Sequence, residues 1–262
     1  MPSRPFDAYD GLAAAQVPLY TVFLAGAVLL CLRHDFRKSS GWRYLLVLSL
    51  VRVVGASLRL ATLAAPTDRG LYTGWAVLSS LGMGPLVLTL LALLSRAFQS
   101  MRDNWPPSSL LLHRATLALM LVAIVLLVIG GVSSSGGKDG GGTQTTLSHV
   151  GSVLLLGVFA LLCAQALLAW VNLGRVAGGE RRVVLAVVAC LPFVLVRLVY
   201  GIIKTFTHIA STAWLMLGME VAMEVVVVLV CEVVGFTLAV VPEEFKPVRD
   251  VEAPRRCQHQ QR

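Results

Sequence analysis

Charge is what this chain has least of. Asp, Glu, Lys and Arg make up 14% of its 262 residues against 56% hydrophobic ones, and the mean hydropathy is +0.78. A soluble domain of this size needs more polar side chains than that to cover its surface. Strict alternation of apolar and polar residues is absent too, which excludes the strands of a membrane β-barrel. Of five cysteines, Cys31, Cys163, Cys190 and Cys231 fall within or at the ends of apolar runs and Cys257 lies in the polar tail, so no disulfide on an oxidising face is expected. Neither Asn104 nor Asn172 stands in an N-x-S/T context. The five histidines form no H-E-x-x-H pattern and none lies deep in an apolar run, which leaves no metalloprotease site and no buried base beside a nucleophile. His149 and His208 read as interfacial residues at the ends of two runs rather than as a zinc site. No catalytic residue, metal or cofactor is expected, and nothing here supports an enzyme.

What is present is apolar length. A hydrocarbon core about 30 Å thick takes roughly 20 helical residues to cross. Runs bounded by charged or turn residues give seven spans, at approximately 14–32, 44–65, 71–95, 115–132, 147–171, 183–203 and 213–241. The expected fold is therefore an all-α polytopic membrane bundle of seven transmembrane helices in one domain, 14–241. Residues 1–13 form a polar outer segment with no separate secretory leader, and 242–262 a disordered tail. Fifteen Lys and Arg fall in the first, third and fifth connections and the tail, and four (Arg4, Arg69, Lys138, Lys204) on the other side. Basic residues favour the cytosol, so the N-terminus is expected outside and the C-terminus cytoplasmic.

The net charge of +8 then reads as basic loops facing anionic inner-leaflet lipids, not as a nucleic-acid footprint. All five tryptophans lie near span ends or in a loop, where an interfacial belt places them. The segment 133–146 (SSSGGKDGGGTQTT) reads as a flexible spacer, and 101–114, with Trp105 and a Pro pair, as a stretch lying in the inner interface.

Two constellations remain. The first is the sequence SLGMGPL in the third span, where Gly82, Gly84 and Pro85 predict a helix break near mid-bilayer; Pro192 in the sixth span invites the same reading. The second is ionic: Arg52 and Arg59 in span two, Arg197 in span six, and Glu220, Glu224 and Glu232 in span seven. Each charge costs about 2.5–3.5 kcal/mol at a helix centre. The eleven Leu and Val of span two offset roughly 3–7 kcal/mol against roughly 5–7 for its two arginines, so alone it barely inserts. The arginines need partners. Heights counted from Arg43 and Val241 put Arg52 level with Glu232, at roughly 14 Å, and Arg59 near Glu224, at roughly 24 and 26 Å. Spans two and seven are therefore expected to pack together, with these charges forming either a structural network or the lining of a ligand cavity.

The run RHDFRKSSGWRYLLVLSLVRVVGASLRLA followed by LYTGWAVLSSLGMGPLVLTLLALLSR resembles a family of fungal integral membrane proteins catalogued as a domain of unknown function, of the DUF7702 type. The resemblance rests on Arg33, His34, Phe36, Gly41, Trp42, Arg52, Gly55, Ala56, Gly82, Pro85 and Leu86. It implies a fungal source and a seven-helix bundle, and no catalytic residues. Three functions stay open: a receptor-like protein binding a small or lipidic ligand, a transporter or lipid-handling protein, and a membrane scaffold.

Overall fold

The computed structural model describes residues 5–33, 40–100, 107–134, 141–175, 180–207 and 212–238. These residues are helical apart from short turns and form no strand. The helices are α1 (Ala8–Arg33), α2 (Ser40–Ala64), α3 (Arg69–Leu81), α4 (Met83–Ser100), α5 (Pro107–Ser134), α6 (Gly141–Val171) and α7 (Arg181–Thr207). A 3₁₀ turn at Leu173–Arg175 precedes α7. The last segment runs α8 (Ala213–Met216), a π-helical turn (Leu217–Ala222) and α9 (Met223–Thr237).

Six stretches are long and apolar enough to cross a membrane: Ala8–Arg33, Gly41–Ala64, Arg69–Phe98, Leu111–Gly130, Thr146–Val171 and Arg181–Phe206. The segment from Ala213 to Thr237 is helical throughout but is divided by the π turn and carries three glutamates.

Several boundaries depart from the sequence reading. The first helix starts at Ala8, inside the polar N-terminal segment, because Asp10 is buried in its first turn against a cation rather than exposed to water. Residues 107–114, read as part of an interfacial stretch, form the opening turns of α5; the rest of that stretch, 101–106 with Trp105, lies outside the described residues. The presumed spacer is helical at both ends, since α5 continues to Ser134 and α6 begins at Gly141. The tail, Cys257 and His208 lie outside the described residues.

Contacts between helices mark two faces of the bundle. On one face, Asp10 at the start of α1 meets Arg59 near the end of α2, and His149 of α6 stacks on Phe206 of α7 at 4.3 Å. On the other, Arg33 at the end of α1 donates to the carbonyl of Phe236 in α9, and Arg96 of α4 pairs with Glu180 at 2.9 Å. The first is called here the N-terminal face. The Arg69–Phe98 stretch is the most enclosed of the six, with Leu86, Leu90, Leu91 and Leu94 of α4 fully buried among α2, α5, α6 and α7. Trp42 departs from the expected belt: it is 2% exposed, and a Cβ on Gly235 would lie 2.6 Å from its ring. That glycine lets α9 close over the indole. Trp170 and Trp214 are exposed, as interfacial residues are.

Candidate functional site

A buried cluster of two arginines, two glutamates and a tyrosine joins four parts of the chain. Arg52 of α2 donates from Nε to Glu224 Oε1 at 2.6 Å and from Nη2 to Glu224 Oε2, a two-pronged guanidinium–carboxylate pair. The same Nη2 reaches Glu220 Oε1 at 3.2 Å. Arg197 of α7 contributes Nη2 at 2.9 Å to Glu224 Oε2 and at 3.7 Å to Glu220 Oε1. Tyr20 of α1 donates its hydroxyl to Glu224 Oε1 at 2.7 Å. All five side chains are buried, and the two positive and two negative charges cancel. Charges out of water demand such pairing and saturation of their hydrogen bonds.

The π turn contributes a main-chain partner. The carbonyl of Glu220 accepts both the Met223 N–H and, at 3.0 Å, Arg197 Nη1. A carbonyl oxygen has two lone pairs, and at the π turn this one accepts a second donor from α7 beside the bond within its own turn.

Arg59 belongs to a separate site nearer the N-terminal face. Its Nε donates to Asp10 Oδ1 at 2.8 Å, and the Asp7 carboxylate lies 3.9 Å away. The guanidinium stands over the rings of Trp75, at 4.7 Å, and Tyr9, at 5.5 Å. A carboxylate and two aromatic faces together compensate this charge.

The six ionic residues singled out in the sequence are thus divided. Arg52, Arg197, Glu220 and Glu224 meet in one cluster, Arg59 sits in another, and Glu232 is in neither. Glu232 lies against Gly26 of α1, where an added Cβ would come within 2.8 Å of its carboxylate, and its Oε1 is buried without a hydrogen-bond partner. The expected pairs, Arg52 with Glu232 and Arg59 with Glu224, do not form. The helices set the register: α2 begins at Ser40 rather than 44 and α9 ends at Thr237 rather than 241. Counted from those ends, Arg52 stands twelve residues up and Glu224 thirteen, roughly 18 and 20 Å at 1.5 Å per residue. Nor do α2 and α9 pack side by side. The last helix lies against α7 and α1, and the arginine reaches across to it.

Asp10, Tyr20, Tyr9 and Trp75 were not among the residues the sequence singled out. Asp10 and Tyr9 lie in the segment read as an outer tail, Tyr20 looked like an ordinary span residue, and Trp75 was read only as part of the interfacial belt. No charge imbalance pointed to them: the three intramembrane arginines are matched in number by three glutamates, and Glu224 was expected at the height of Arg59.

The helix break and the cluster are one arrangement. A Cβ on Gly82 would lie 2.8–2.9 Å from the guanidinium of Arg52, so the interruption between α3 and α4 is where that side chain passes toward Glu224. Gly84 meets Ile124 of α5 as closely, and Pro85 opens α4, its carbonyl accepting from Thr89 Oγ1 at 2.8 Å. Pro192 breaks nothing: α7 runs unbroken through it, as α1 does through Pro18.

Beside the cluster, toward the N-terminal face, a cavity of about 360 Å³ lies between α3, α5, α6, α7 and the π turn. Arg197 and Glu220 form its deep wall, Ser152 and His149 line α6, and Gly201 and Lys204 line α7. It does not reach Arg59 or Glu224. Among the described residues, Nε of Arg197, on a side chain 5% exposed, and Nε2 of His149 find no hydrogen-bond partner. Among the described residues, no group of three or more His, Cys, Asp or Glu is disposed to hold a metal ion.

A family model described as a domain of unknown function (DUF7702) matches residues 6–241. No curated protein and no solved structure gives a match.

Proposed function

The chain belongs to the DUF7702 family, a domain of unknown function, and from that premise and the cavity beside its charge cluster we propose a receptor-like membrane protein that binds a small or lipidic ligand. In this reading the helical segment from Ala213 to Thr237 is a seventh span. The N-terminal face is outside, and the basic connections contact anionic lipids of the inner leaflet. The carrying observation is the cavity itself. Its volume falls in the range of small-molecule sites, and it combines apolar walls with a few convergent polar groups.

The cluster supports a closed floor beneath such a site. Glu224 holds Arg52, Arg197 and Tyr20 together, and so links α1, α2, α7 and α9 at the level where a pathway through the bundle would have to continue. That favours a binding chamber over a transport route. A scaffold needs no chamber with unsatisfied donors in its wall.

The test is the small-molecule content of the purified chain. Gly201 lines the cavity and has open space where a Cβ would stand, so Gly201→Leu takes up part of the cavity and removes a helix-weakening glycine. Mass spectrometry of extracts should find a compound retained by the unaltered protein and depleted in the variant at equal folded yield. Identical extracts from the two would overturn the binding reading.

A further inference from the structure

The chemistry of the cavity wall narrows what it can hold. The glutamates are already committed, since Glu220 and Glu224 are matched one for one by Arg52 and Arg197. What remains at the wall is unbalanced and donor-rich. Lys204 is exposed at the mouth and makes no ion pair among the described residues. Arg197 still has a free Nε–H, and His149, stacked flat on Phe206 at 4.3 Å, has its Nε2 open to a partner. Buried donors without acceptors in a folded protein imply an ordered water or a ligand.

The cavity also has an apolar continuation. At Val77, Ser80, Met83, Leu127 and Leu155 it adjoins a crevice between the α3–α4 break and α5, walled further in by Gly84, Met120 and Ile124. As it stands the crevice holds only about 10 Å³, but two methionines close it, and an unbranched thioether chain shifts rotamer readily to admit a hydrocarbon. The polar and apolar parts meet along Val77, Ser80 and Met83, on the two sides of the interruption at Gly82.

We propose that this site takes a single-chain amphiphile with an anionic head, a carboxylate or a phosphate. The head lies among Arg197, His149 and Lys204, and the tail enters the crevice beside Met83 and Met120. The assignment rests on the ligand-binding reading of the same cavity and adds to it the sign of the head and the place of the tail. A cationic head would meet Lys204 at the mouth and find the carboxylates occupied. A neutral head would leave the charge at the wall uncompensated.

The experiment compares five probes on the full-length chain in neutral detergent by thermal unfolding. They are laurate, dodecyl phosphate, dodecanol, dodecyltrimethylammonium and inorganic phosphate. The four amphiphiles share a tail, so differences among them report the head, and Gly201→Leu corrects for partition into micelles. Laurate and dodecyl phosphate should bind at least about tenfold tighter than dodecanol, as a charge-assisted hydrogen bond implies. Inorganic phosphate should bind far more weakly than dodecyl phosphate. Lys204→Gln should weaken the two anionic amphiphiles about 2- to 5-fold and leave dodecanol unchanged. Gly201→Leu should abolish the stabilisation by both.

If dodecanol or the cationic amphiphile binds as well as laurate and Gly201→Leu still blocks it, the cavity is a ligand site but the anionic assignment is wrong. Inorganic phosphate binding as tightly as dodecyl phosphate would remove the tail. Stabilisation by none of the five, or none sensitive to Gly201→Leu, would overturn the assignment and leave water as the partner of the wall.

Discussion

Glu224 accepts from three residues on three helices, Tyr20, Arg52 and Arg197. Its replacement should therefore be costlier than that of an ordinary buried pair. Exchanging the charges of Arg52 and Glu224 should also fail to restore the fold, because an arginine at 224 would face Arg197. The Arg59 site behaves differently. Asp10→Leu strips one cation of its closest anion and should cost about 3–5 kcal/mol, the usual penalty for a buried charge left unpaired. Removing both charges in Asp10→Leu/Arg59→Leu should recover most of it, since a packed apolar pair often replaces a buried ion pair without loss. Thermal unfolding in detergent gives the comparison. A double variant no better than Asp10→Leu would mean that Arg59 serves some purpose beyond pairing with Asp10.

Among the elements, the broken third stretch shows how one helix accommodates a side chain of another. The strain of a substitution there should track proximity to Arg52, not proline chemistry. Gly82→Ala places a methyl against a guanidinium fixed by Glu224 and should lower stability by about 1–3 kcal/mol. Pro85→Ala, at the first turn of α4 where a missing N–H matters little, should cost much less. Folded yield and midpoint of the two variants decide it, and the reverse ranking would return the break to Pro85. This is also where sequence reading reached its limit. Periodicity, run length and the Gly-Pro cluster were enough to expect the helices and the interruption, because those are local properties. The partners of Arg52 and Arg59 depended on where each helix ends, and a four-residue error at either end moves a side chain by about a turn. Asp10 escaped notice because its burial depends on Arg59, forty-nine positions away.

For the molecule as a whole, the membrane reading rests on six apolar helices, and the orientation on the distribution of fifteen and four basic residues in its connections. An epitope tag inserted within 135–140, between α5 and α6, should be reached by antibody on sealed cells, and one at the C-terminus only after permeabilisation. The opposite pattern would invert the bundle and turn the cavity toward the cytosol. Labelling of both tags on the same side would remove the seventh crossing, since two crossings between the tags leave them on one side and three place them on opposite sides.

The order in which the chain is made gives the cluster another consequence. Arg59 finds its counter-charge on α1, already synthesised when α2 emerges, but Arg52 waits for Glu224, 172 positions downstream in the final helix. Until the ribosome has delivered that last segment, α2 carries a cation no earlier helix neutralises among the described residues. A nascent product missing its last helix is thus chemically marked as unfinished, and the marginal insertion of α2 makes the mark visible to membrane quality control. Chains truncated after Thr207 should be cleared faster than full-length ones in a pulse-chase experiment, and Arg52→Leu should lengthen the lifetime of the truncated form. Equal turnover of the two truncated forms would show that the cell does not read this charge.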